Sequence, residues 1–271
     1  MLKSTKLTAL TGSEVEITTE GLLSGDYADE IRQLLIERGV LVFRNITFTE
    51  DQQRAFTATI GKLRMDGPNE ANGVLTVEYS PPTYFWHMDA MYDEILPFAT
   101  MLTPKKLPPE GGNTEFANTY AAFEDLPPEE QEYLSTLQTL CTMKAGTERV
   151  TYDITMEVVE MWKKYERVQP LVWRHRSGRR SLVIGSTVSH VLDMHVADSY
   201  ELLQRLIAHA TQDKYVYRHQ WRMGDAVMWD NTGTMHRVRP YDVSKGRLLI
   251  RTTVEGIEPL PAVPQEELAT A

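Results

Sequence analysis

The sequence predicts a mixed α/β fold with a mainly β core, and three observations carry that prediction. Short apolar and aromatic runs separated by Gly- and Pro-bearing turns occupy residues 74–117, and the same pattern returns at 170–254, as expected of a sandwich or barrel. Helical signatures in the first third and again near 128–138, 156–167 and 199–210 place helices around that core. Neither an internal repeat nor a low-complexity linker divides the 271 residues, so one domain spanning 1–271 is expected.

The elements follow in chain order. Residues 28–39 carry apolar side chains at 31, 34 and 35 and end on Gly39, a helix with its stop signal. The chain then enters VLVFR (40–44), read as a buried strand. Thr49 with Gln52 forms a capping box that opens a second helix. Strands are expected at 74–80, through the 85–94 segment, and at 98–103 and 113–117. Later strands are expected at 170–175, 180–184, 216–221, 225–229 and 246–254.

Composition removes whole classes of function. A formal net charge of −10 without a basic stretch argues against nucleic acid. A single cysteine, Cys141, excludes an intrachain disulfide and a thiolate metal cluster. No run of 18 apolar residues is present, so no membrane span is expected. A cytoplasmic homo-oligomer acting on a small molecule, with no nucleic-acid or membrane partner, is the expectation.

The chemistry concentrates in 85-FWHMDAMYDE-94. On a strand, residues i and i+2 share a face, so His87 and Asp89 converge and Met88 turns away. A third ligand is offered by 221-WRMGDAVMWDNTGTMHRVRP-240, in which an apolar strand and a polar turn lead to His236. Two histidines and one carboxylate suit Fe(II) with open positions for a chelating cosubstrate and dioxygen. Zinc is possible on ligand type, but the local signatures of hydrolytic zinc sites are absent. The remaining histidines, His175, His190, His195, His209 and His219, read as ordinary surface or core residues. Arg247 and Arg251 within GRLLIRTTVEG share a strand face at i and i+4, and a guanidinium in an apolar strand matches a carboxylate.

Taken with PPEGGNTEFAN (108–118), GVLVFRN (39–45) and IGKL (60–63), these motifs resemble the taurine dioxygenase-like (TauD/TfdA) family of Fe(II)- and 2-oxoglutarate-dependent dioxygenases. The resemblance implies a double-stranded β-helix (jelly roll) with flanking helices, with Fe(II), 2-oxoglutarate and O2 as cofactor and cosubstrates. It implies iron ligation by His87, Asp89 and His236. It implies 2-oxoglutarate binding by Arg247 and Thr114, a packing role for Trp229, and Arg251 facing the acidic group of the primary substrate. The presence of Asp89 disfavours halogenation. Asp66, Gly67 and Pro68 stand where sulfonate-oxidising members carry a histidine and a tyrosine, which disfavours taurine. Tyr79, Tyr84, Met88, Met91 and Tyr92 flank the iron motif as candidate pocket residues, with Tyr84 and Met88 as substrate contacts. Residues 143–168 are the candidate lid. The implied reaction oxidises a C–H bond of a small, acidic organic substrate and releases succinate and CO2. Two other readings remain at this point: a non-catalytic jelly-roll binding protein, and a cupin-like zinc or manganese enzyme.

Overall fold

The computed structural model describes residues 2–65, 73–78 and 80–260. Asp66, Gly67, Pro68 and Tyr79 lie outside the described residues. The helix at Ala28–Arg38 stops at Gly39, whose φ of 74° is open to glycine and whose N–H caps Leu35. The strand Val40–Phe43 follows at once, and all four of its side chains are buried. Leu41 and Phe43 pack toward the helices with Ile31, Leu35, Phe56 and Ile60. Val40 and Val42 face the other way, against Leu102, Phe116, Trp229 and Leu249. A strand buried on both faces reads as a continuous apolar run, and this one does. The capping box forms as expected, with Gln52 N–H on Thr49 Oγ1 and Thr49 N–H on Gln52 Oε1, ahead of the helix Glu50–Ile60.

The core is mostly sheet. Among the described residues, one seven-stranded sheet runs in the order Lys3–Lys6, Ser13–Glu16, Val40–Phe43, Ala226–Asp230, Ala99–Lys106, Leu248–Val254, Leu75–Val77. Only the Ser13–Glu16 and Val40–Phe43 pair within it is parallel. A second sheet of three strands, Val216–His219, Thr114–Asn118 and Thr234–Val238, supplies Phe116 and Tyr217 to the core shared with the large sheet. A third apolar cluster, including Met88, Trp173 and Leu206, includes the buried side of the helix Val196–Ala210.

Several boundaries differ from the sequence reading. The helix expected at 156–167 ends at Lys164, and Glu166–Pro170 is a strand paired with Gln138–Thr142. Tertiary pairing there overrides a helical period. The 85–94 segment is not a strand: His87 makes one isolated bridge to His236, and a turn begins at Asp89. The strand expected at 216–221 stops at His219, and the one expected at 246–254 starts at Leu248. No helix among the described residues is long and apolar enough to cross a membrane.

Candidate metal centre and active site

Backbone pairing brings the two histidines together. His87 and His236 are antiparallel bridge partners that exchange both hydrogen bonds, N–H to O at 3.1 and 2.8 Å. Directly opposed residues of such a pair project their side chains to the same side, and the rings lie 4.2 Å apart between centroids. Two residues beyond His87, Asp89 returns to that side. Its Oδ1 lies 3.9 Å from His87 Nε2 and 3.7 Å from His236 Nε2. All three ligand atoms fall within 4.8 Å of one another. Met88 points the opposite way into the core and is 1% exposed.

The donor set fits a divalent ion. His87 Nδ1 lies 2.8 Å from the Phe85 carbonyl; as donor to that oxygen it leaves Nε2 as a lone pair toward Asp89. His236 Nδ1 is buried with no hydrogen-bond partner among the described residues. Burial, reinforced by the nearby His87 and against the pull of Asp89, takes the His236 pKa down to about 3. The imidazole is therefore neutral at pH 7, as a ligand must be. Burial pushes Asp89 up, but His236, Arg251, His87 and the Thr100 hydrogen bond together outweigh it and hold Asp89 below the usual carboxylate range. Two imidazole nitrogens and one carboxylate match the preference of ferrous iron.

A relay orients Asp89. Trp229 Nε1 donates to Asn231 Oδ1 at 2.7 Å, Asn231 Nδ2 donates to Thr100 Oγ1 at 2.7 Å, and Thr100 Oγ1 donates to Asp89 Oδ2 at 3.3 Å. The Trp229 ring also packs on His236 at 4.7 Å, in keeping with its expected packing role. Neither Thr100 nor Asn231 was singled out from the sequence. Asn231 sits in the WDN motif, but its partner lies 131 residues away.

The two arginines flank the centre at separate places. Arg247 precedes the strand Leu248–Val254, whose pairing is irregular at Leu248–Leu249, and Arg251 lies within it, with Leu249 buried in the core between the sheets. Arg251 lines a cavity of about 850 Å³ with Asp89, Tyr92, Ile95, Pro97, Met143 and Tyr165, and with the charged side chains Arg64, Asp93, Glu94, Arg167 and Glu255. Arg247 does not line that cavity. It is 4% exposed, donates from Nε to the Gly112 carbonyl at 3.2 Å and from Nη2 to Thr114 Oγ1 at 3.4 Å. The cavity beside Asp89 is thus lined by Arg251, while Arg247 is held by Gly112 and Thr114. Burial lowers the Arg247 pKa to about 10, with Tyr241 and Tyr84 opposing, so its charge persists at neutral pH. Tyr84 belongs near Arg247 rather than in the Arg251 cavity, and Met88 is a core residue because strand-like alternation turns it away. Met91 is likewise fully buried, whereas Tyr92 reaches the cavity. His175, His209 and His219 are held by Ser181, the Ala122 carbonyl and Asp225, away from the triad.

Comparison with known proteins agrees with this geometry. Residues 3–253 match the family described as "Taurine catabolism dioxygenase TauD, TfdA family". The chain is 33% identical over 259 residues to an alpha-ketoglutarate-dependent 2,4-dichlorophenoxyacetate dioxygenase of Cupriavidus pinatubonensis, covering 83% of this chain and 87% of that one. A (S)-phenoxypropionate/alpha-ketoglutarate-dioxygenase of Sphingobium herbicidovorans is 28% identical over 245 residues, covering 84% and 85%. The crystal structure of AAD-2 in complex with Mn(II) and N-oxalylglycine superposes with a TM-score of 0.87 at 31% identity, covering 96% of this chain and 100% of that one.

Proposed function

Since the chain belongs to the taurine catabolism dioxygenase TauD, TfdA family and is a 2-oxoglutarate-dependent non-haem iron dioxygenase, we propose that its substrate is a small organic acid with an apolar body. The observation that carries this reading is the cavity that Arg251 and Asp89 line together, where Tyr92, Ile95, Pro97, Met143 and Tyr165 supply apolar surface among the charged Arg64, Asp93, Glu94, Arg167 and Glu255. A substrate anion at Arg251 would present its neighbouring carbon to the metal centre. Oxidation then falls beside the acidic group or at an ether link. The aryloxyalkanoate names of the relatives fit the same description.

His87, Asp89 and His236 would hold Fe(II) through Nε2, a carboxylate oxygen and a ring nitrogen. The bound metal and 2-oxoglutarate supply the oxidising power, with one oxygen atom of O2 entering succinate as CO2 leaves and the other going to the substrate C–H bond. Arg247 and Thr114 would grip the distal carboxylate of 2-oxoglutarate, some distance along the strand from the substrate anchor. The apolar wall of Tyr92, Ile95, Pro97, Met143 and Tyr165 would pack against the body of the substrate. Within 143–168, Met143 and Tyr165 form part of that wall and are tied by a Met143 N–H bond to the Tyr165 carbonyl at 2.9 Å, so the closing element would be the intervening loop and helix.

The same reading takes the two facing sheets as a double-stranded β-helix and 1–271 as one catalytic domain. It also includes a cytoplasmic homo-oligomer, with exposed Val196 and Tyr200 outside the closing element as contact surface. The decisive experiment measures succinate formation with Fe(II) and 2-oxoglutarate over aryloxyalkanoates, other carboxylates, sulfonates, sulfate esters and neutral metabolites. Stimulation by carboxylates with an apolar body, lost in Asp89→Ala, is expected. Stimulation confined to neutral metabolites would overturn the substrate proposal.

A further inference from the structure

We propose that Trp221 is a positioning residue for 2-oxoglutarate: its indole N–H occupies the acceptor side of Thr114 and thereby reserves the threonine proton for the cosubstrate carboxylate. The inference rests on Arg247 and Thr114 being the cosubstrate anchor, as argued above.

The argument is a count of donors. A threonine hydroxyl has one proton and two lone pairs. At Thr114, which is 1% exposed, Oγ1 accepts from Trp221 Nε1 at 3.0 Å and from Arg247 Nη2 at 3.4 Å. Both lone pairs are engaged by groups that can only donate. The single proton is left to give, and its natural partner is an ion that can only accept. An ionised carboxylate is such a partner. Without the indole, one lone pair of Thr114 is released, and the hydroxyl is free to rotate its proton away from the ligand.

The fold holds Trp221 for this task. The strand Val216–His219 ends two residues earlier, so Trp221 is not bound by the sheet's alternation. Its ring stands edge-on to His219, 4.6 Å between centroids at 82°. His219 is itself clamped, with Nε2 3.0 Å from Asp225 Oδ2 and Nδ1 3.0 Å from the Tyr217 hydroxyl. Asp225 Oδ2 in turn accepts from Arg44 Nη1 and from the Arg222 backbone, both at 2.7 Å. The Gly-Asp turn of the GDAVMWDN motif thus reaches the cosubstrate end through a chain of named contacts.

The test is calorimetric titration of N-oxalylglycine, a 2-oxoglutarate analogue, into Mn(II)-loaded protein, so that binding is read without turnover. Trp221→Phe keeps an aromatic ring, smaller than the indole, and removes the N–H, and should weaken analogue binding about five- to tenfold with Mn(II) affinity unchanged. In a Thr114→Val background the same substitution should have no further effect. Unchanged affinity in Trp221→Phe, or an equal loss in both backgrounds, overturns the proposal in favour of simple packing. If Trp221→Phe melts below working temperature, Trp221→Tyr, which also lacks a donor at that place, takes its part. Arg247→Ala separates the two layers: unchanged affinity there removes the anchor and this proposal with it, whereas a large loss there beside an unaffected Trp221→Phe overturns the positioning role alone.

Discussion

Thr100→Val isolates the relay behind Asp89. Valine matches threonine in shape but lacks the hydroxyl, so two neighbours lose a partner at once. Asn231 Nδ2 loses its 2.7 Å acceptor in a fully buried site, an orphaned donor worth about 1–3 kcal/mol. Asp89 Oδ2 loses a longer 3.3 Å contact, which places that loss at the lower end for a charged acceptor, about 1.5 kcal/mol. Together the metal-free protein should lose roughly 2.5–4.5 kcal/mol, which for a chain of this size is about 5–18 °C in Tm. Loss of an outer partner of a metal ligand further predicts about 10–100-fold weaker metal binding. Differential scanning calorimetry of metal-free protein reads the first quantity, and Mn(II) titration against a competing chelator reads the second. A lowered Tm with unaltered Mn(II) affinity would refute the claim that Thr100 orients Asp89.

Arg251→Gln should raise the apparent KM for an acidic substrate at least tenfold, since a charge-assisted pair contributes about 1.5–3 kcal/mol, while N-oxalylglycine binding stays within a factor of two; equal loss of both would show one shared anion site. His175, pushed down to about 3 by burial and then by Arg179, stays neutral in the native state while the unfolded chain protonates below about 6.5. The unfolded state then holds more protons, so stability falls as pH drops from about 6.5 toward 3, by about 1.4 kcal/mol per unit. His175→Gln, which can keep a bond to Ser181, should flatten urea-unfolding free energies between pH 7 and 5 by about 2 kcal/mol, and an unchanged slope would contradict the burial argument. Gly233→Ala would set a methyl 1.7 Å from the Tyr120 ring, displacing the residue that donates to buried Asp230. A loss of about 3 kcal/mol or more is expected, and a melt like that of wild type would mean Tyr120 moves freely.

Local rules wrote much of this protein in its sequence. The Gly39 stop, the Thr49–Gln52 box and the VLVF strand depend on residues a few positions apart, and each formed where the pattern placed it. His87 and Asp89 could be paired on paper by two-residue alternation, and the structure brings them together through one bridge and a turn while burying Met88 in the core. Adding His236, Thr114 and Arg247 required whole motifs, because their spacing along the chain exceeds any local period. What only the tertiary structure decided is what long-range pairing controls. The His87–His236 bridge joins segments 149 residues apart in number, and the Asn231–Thr100 and Trp221–Thr114 bonds span 131 and 107. Packing also gave Arg247 to Thr114 and Arg251 to the Asp89 cavity. Side-chain types and short spacings are set by the chain alone, but hydrogen bonds between distant segments exist only once register brings them within about 3 Å, and the relays of this site are made of such bonds.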